Sequence, residues 1–131
     1  YEKARPYSEV VSLLEELVNG ESDIVLASVT GRFGDDFISH LKYVISIEVP
    51  KEIRLKRVHD RSYQLFGEKC CKGGAFYEQT ESFHSFCASR DENLVEGWLS
   101  TICCPIIRVD GTLPISDNVN LIAKKLNLQK E

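Results

Sequence analysis

Methionine is absent from this chain, tryptophan occurs once and proline four times in 131 residues. With no initiator residue, the expectation is that the start was removed or that the chain is part of a longer protein. No apolar run approaches the roughly 18 residues of a membrane span, and no basic-then-apolar start resembles a secretory signal. The reading is therefore a cytoplasmic chain with no membrane partner. Positive charge is not in excess either: 16 Lys and Arg stand against 20 Asp and Glu, a formal net charge of −4. A surface devoted to a polyanion needs the opposite balance, so nucleic acid is not an expected partner. The five cysteines form no familiar framework. Cys70-Cys71, Cys87 and Cys103-Cys104 are odd in number, with no Cys-x-x-Cys and no recognised Cys/His spacing around His84. Reduced thiols fit best, and no metal site is expected from them.

What is present is ordinary globular composition, 43% hydrophobic and 27% charged, which excludes collagen-like, low-complexity and disordered chains. From Tyr7 to Asn19, Val10, Leu13, Leu14, Leu17 and Val18 share one helical face between Pro6 and Gly20. That pattern predicts an amphipathic helix. Asp23–Val29, Tyr43–Val49 and Pro105–Val109 are near-continuous apolar runs ending in turns, as buried parallel strands do. Between and after them, helices are predicted at about 51–66, 76–87, 91–102 and 115–126. Asp91 would cap the third of these, and Ser116 or Asp117 would start the last. Strands alternating with helices imply α/β architecture, a parallel sheet with flanking helices. Three strands are fewer than such a sheet usually has, so the sheet reads as incomplete. The whole chain, 1–131, reads as a single domain.

In open α/β sheets, ligands bind beyond the carboxyl ends of the strands, which singles out three loops. In Thr30–Asp36, Asp35 and Asp36 are either ligands for magnesium or a hydroxyl group, or simple helix caps. After Val49, Arg54, Arg57 and Arg61 are spaced three and four apart and project from one helical face, where guanidinium forks suit phosphate. Lys51–Lys72 holds seven Lys/Arg and three Asp/Glu, +4 against −8 for the remainder. The plainer reading of that face is solvated arginines exchanging ion pairs with Glu52 and Asp60. Phe66-Gly67 and Lys72-Gly73-Gly74 are flexible breaks of the kind a movable lid needs, or loop punctuation. In the third loop, Asp110-Gly111-Thr112-Leu113-Pro114, glycine lets a flat ring or phosphate reach the backbone, although Asp-Gly turns are common. Cys103 and Cys104 are expected to pack as small apolar residues, and His40 and His59 to lie at the surface.

The run Ile-Glu-Val49-Pro50-Lys-Glu-Ile-Arg54-Leu-Lys-Arg57-Val-His-Asp-Arg61, a Gly-containing stretch, a strand ending in Val109-Asp110-Gly111-Thr112 and a final helix follow in that order. Together they resemble the second half of a P-loop small-molecule kinase, closest in type to the uridine kinase-like and nucleotide kinase-like group. The resemblance spans about Ile24 to Leu126. It implies a three-layer P-loop NTPase-like sandwich, incomplete at its N-terminus, with a lid-like helical insertion at about 54–90. It implies ATP and Mg2+ as cofactors and a small-molecule, nucleoside or nucleotide acceptor. Arg57 and Arg61 would meet the phosphates. The loop Asp110-Gly111-Thr112-Leu113-Pro114 would lie against the adenine, and Asp35 and Asp36 would face magnesium or the acceptor. The sequence departs from the family in one respect: it contains no Gly-x-x-x-x-Gly-Lys-Ser/Thr, the loop whose amides and lysine hold the phosphates. The chain alone is therefore expected to be inactive in phosphate transfer. A second reading is a non-catalytic α/β module that binds a nucleotide or a protein, and a third is a flavodoxin-like receiver domain. A sheet lacking a central strand would also pair with another copy, giving a homo-oligomer.

Overall fold

The computed structural model describes residues 5–20, 23–29, 31 and 33–127. Helix α1 (Tyr7–Gly20) is followed by a short α2 (Asp35–Ser39), strand β1 (Val44–Glu48), α3 (Lys51–Phe66), α4 (Tyr77–Ser89), α5 (Leu94–Leu99), β2 (Ile106–Asp110) and α6 (Ile115–Lys125). A 3-10 turn, Gly67–Cys70, follows α3 directly. This is α/β architecture with a parallel sheet and flanking helices. Val44 N–H donates to the Pro105 carbonyl (3.1 Å) and, further along both strands, Gly111 N–H donates to the Glu48 carbonyl (2.8 Å), so β1 and β2 run in the same direction. No helix among the described residues is long and apolar enough to cross a membrane.

The structure corrects the three-strand expectation, because the described sheet has only β1 and β2. Asp23–Val29 forms no strand, and Val25 is fully exposed (101%). Apolar composition permits a strand, but only a partner edge makes one. β1 is less covered than a buried strand, with Ile45 and Ile47 exposed, whereas Ile107 and Val109 of β2 are each 5% exposed. Side chains alternate between faces, so Ile45 and Ile47 share a face with Ile107 and Val109, and Glu48 joins Arg108 on the other at 2.5 Å.

Both strands turn into helices through a proline. Pro50 (φ −53°, ψ 145°) precedes α3 and Pro114 (φ −54°, ψ 143°) precedes α6. Proline pre-sets φ, and its carbonyl is free to accept from the first helical turn: Arg54 N–H bonds Pro50 O (3.0 Å) and Asp117 N–H bonds Pro114 O (3.1 Å). Ser116 and Asp117 thus lie inside the first turn of α6 rather than starting it. α5 is shorter than expected and begins at Leu94, past Asp91, with Asn93 at the N-cap and no side-chain cap bond. It also ends early, where the Ser100 and Thr101 hydroxyls bond the Gly97 and Trp98 carbonyls, both at 2.7 Å. Such local bonds compete with helix continuation.

The chain forms two compact units. In one, the described residues of Tyr1–Val44 and Asn93–Ile106, Leu14, Phe37 and Leu99 are buried. Phe33 and Phe37 meet edge to face at 5.5 Å, and Trp98 lies on Gly31, where a Cβ would come within 2.0 Å of the indole ring. Cys103 is exposed rather than packed, while burial pushes the half-buried Cys104 thiol up. The other unit, Ile45–Glu92 with Ile107–Glu131, holds α3, α4, α6 and nearly all of the sheet.

Candidate functional site

At the carboxyl end of β1 the chain passes through Val49-Pro50 into α3, whose first turns carry Lys51, Arg54 and Arg57. Arg57 Nη1 donates to the Gly111 carbonyl at 2.9 Å, tying the middle of α3 to the loop at the carboxyl end of β2. Arg54 Nη2 donates to Glu92 Oε2 at 2.7 Å, and Lys51 Nζ lies 3.6 Å from Glu92 Oε1. One carboxylate therefore faces two cations. All three groups are 40–51% exposed, so the attraction is screened and adds little stability. Arg54 Nε is buried with no hydrogen-bond partner among the described residues. Arg61 lies one turn beyond Arg57 and is exposed. Lys56 pairs with Asp60 at 2.5 Å.

The loop after β2 is held from several sides. Asp110 Oδ1 accepts from Thr112 Oγ1 (2.6 Å) and Thr112 N–H (2.8 Å). The Thr112 hydroxyl first and its amide second hold the Asp110 carboxyl below the usual carboxylate range. Asn118 Nδ2 donates to the Asp110 carbonyl at 2.8 Å, anchoring the loop to α6. At Gly111 a Cβ would stand 2.5 Å from Val49 Cγ2 and 2.7 Å from Ile47 Cγ2. This glycine is required by packing against β1, an explanation that needs no ligand. Pro114 caps α6.

Of the residues singled out from sequence, the structure brings Arg54, Arg57, Asp110, Gly111 and Thr112 to the carboxyl ends of the two strands. Asp35 and Asp36 open α2 in the other unit, after Gly34 at φ 92°. Thr30 and Arg32 of that loop lie outside the described residues. Among the described residues, no three or more His, Cys, Asp or Glu converge as metal ligands. Sequence reasoning missed Glu92, 38 residues from Arg54. Its neighbour Asp91 reads as a helix cap, and Glu92 itself carries no signal.

The chain is similar to the uncharacterized protein YqaC of Bacillus subtilis (strain 168), at 27% identity over 136 positions that take in 97% of this chain and 76% of that protein. No family model matches it. No solved structure matches it either.

Proposed function

We propose that the carboxyl ends of β1 and β2 bind the phosphates of ATP, as part of a P-loop-type kinase that phosphorylates a small-molecule, nucleoside or nucleotide acceptor. The observation that carries this reading is the arginine face of α3, which starts at one strand end and is tied by Arg57 to the loop at the other. Strand-end crevices of parallel sheets favour ligands, and guanidinium forks match phosphate oxygens. The Gly111 bond uses one of the five N–H donors of Arg57, and the buried Nε of Arg54 has a proton to give. In this proposal Arg57 and Arg61 offset charge on the phosphates, Arg54 supports them, and Asp110–Pro114 flanks the base. Magnesium would arrive on the ATP oxygens. A phosphate loop would have to come from outside these 131 residues, since the sequence contains none.

The alternative, a non-catalytic nucleotide- or protein-binding module, is favoured by a different observation: these residues contain no Gly-x-x-x-x-Gly-Lys-Ser/Thr to position a transferable phosphate. Calorimetric titration of the chain with MgATP tests the nucleotide reading. Binding is expected, and Arg61→Ala, which leaves the Arg57–Gly111 bond in place, should weaken it about tenfold or more, the size of a lost charged hydrogen bond. Absence of binding, or affinity unchanged in both Arg57→Ala and Arg61→Ala, would overturn it.

A further inference from the structure

The α3–α4 hairpin is joined by polar groups where a helix pair normally buries apolar ones. Ser62 of α3 and Thr80 and His84 of α4 are 6–8% exposed. The Ser62 hydroxyl has one hydrogen and donates it to the Val58 carbonyl at 3.0 Å. The same hydroxyl oxygen lies 3.0 Å from His84 Nε2, and the other nitrogen of that ring is Nδ1. That Nδ1 is buried, has no hydrogen-bond partner, and lies 3.4 Å from the Glu81 carboxylate. On a doubly protonated His84 ring, Nδ1 is a charged donor facing that anion.

Against this stands His59 of α3. Its ring lies on the His84 ring with centroids 3.6 Å apart and planes at 43°, and it is exposed to solvent protons. The other charged groups nearby are already engaged. Lys56 and Asp60 of α3 pair with each other, and Glu68 of the 3-10 turn accepts from the Tyr63 hydroxyl at 2.9 Å. Among the described residues, Glu81 is the carboxylate within 4 Å of the imidazole pair, and one carboxylate balances one cation, not two.

We propose that His59 and His84 form a proton-operated latch. The hairpin is closed while the pair carries at most one extra proton, and α4 parts from α3 when both rings are cationic. Like charges in stacked contact are coupled, so the second proton is taken up with opening. The Phe66 and Phe76 rings meet at 5.3 Å near the turn between the helices, and farther along the hairpin the buried groups are Ser62, Thr80 and His84. The proposal does not depend on nucleotide binding, and its readout needs no ligand.

The test is amide hydrogen exchange of the intact chain between pH 7.5 and 5, corrected for intrinsic rates and read on α4 (Tyr77–Ser89) and α6 (Ile115–Lys125). Protection of α4 should fall at least tenfold at acid pH while α6 keeps its own. In His59→Gln, which keeps polarity at an exposed site, the α4 loss should vanish. In Glu81→Gln, it should begin at higher pH. Unchanged α4 protection, equal loss in His59→Gln, or parallel loss in α6 would each overturn the latch.

Discussion

Gly111→Ala tests the packing at the strand ends most directly. The backbone there is not left-handed, since the positive-φ glycines are Gly34, Gly67 and Gly73, so the substitution adds a methyl group without a backbone penalty. That methyl would sit 2.5 Å from Val49 Cγ2, 2.7 Å from Ile47 Cγ2 and 3.3 Å from the Glu48 carbonyl. Neither side chain is limp, because β-branching restricts χ1, yet Ile47 is 68% exposed and can lean toward solvent. Val49 is half-buried and has less room to move. Overpacking of this kind costs about 1–3 kcal/mol, and partial relief through Ile47 places the expectation near the middle, about 2 kcal/mol. The assay is urea unfolding followed by helical circular dichroism, in a cycle with Val49→Ala. Shortening Val49 removes the tightest contact, so the double variant should be more stable than the sum of the singles by about 1 kcal/mol. Strict additivity would mean that Val49 is not what excludes a side chain at 111.

Gly31→Ala should destabilise the unit containing α1, α2 and α5, because its methyl would lie 2.0 Å from the Trp98 ring. The single indole reports this itself: its emission should move to the red and its thermal transition should come earlier, and an unshifted spectrum would refute the contact. Thr112→Val removes the larger of the two causes that depress the Asp110 carboxyl. A carboxyl with a depressed folded-state pKa contributes stability above its unfolded value, near 3.9, and loses it as pH falls through the folded one. In the variant, carbon NMR should show Asp110 titrating at higher pH than in the parent, with a smaller acid-dependent loss of stability. An identical Asp110 titration would show that the hydroxyl does not hold it.

Much of the helical content was readable along the chain, because helices depend on contacts four residues apart and announce their ends locally. α3 spans Lys51–Phe66 as the periodicity indicated, and α1 and α6 agree to within a residue. The five-residue α2 went unseen, being too short to show a period. The arginine spacing on α3 was equally legible. Its bond to Gly111, 54 residues away, was not, and neither was the Glu92 clamp.

Sequence by itself thus determined the α/β alternation, the basic face of α3 and the proline-led turns into α3 and α6, all set by near-neighbour sterics and periodicity. Tertiary structure decided which apolar runs became strands, why position 111 must be glycine, and that His59, Ser62 and His84 meet. A strand exists only where another edge supplies its hydrogen bonds. A buried polar group is tolerated only where a distant residue supplies its partner, and no local pattern encodes that meeting.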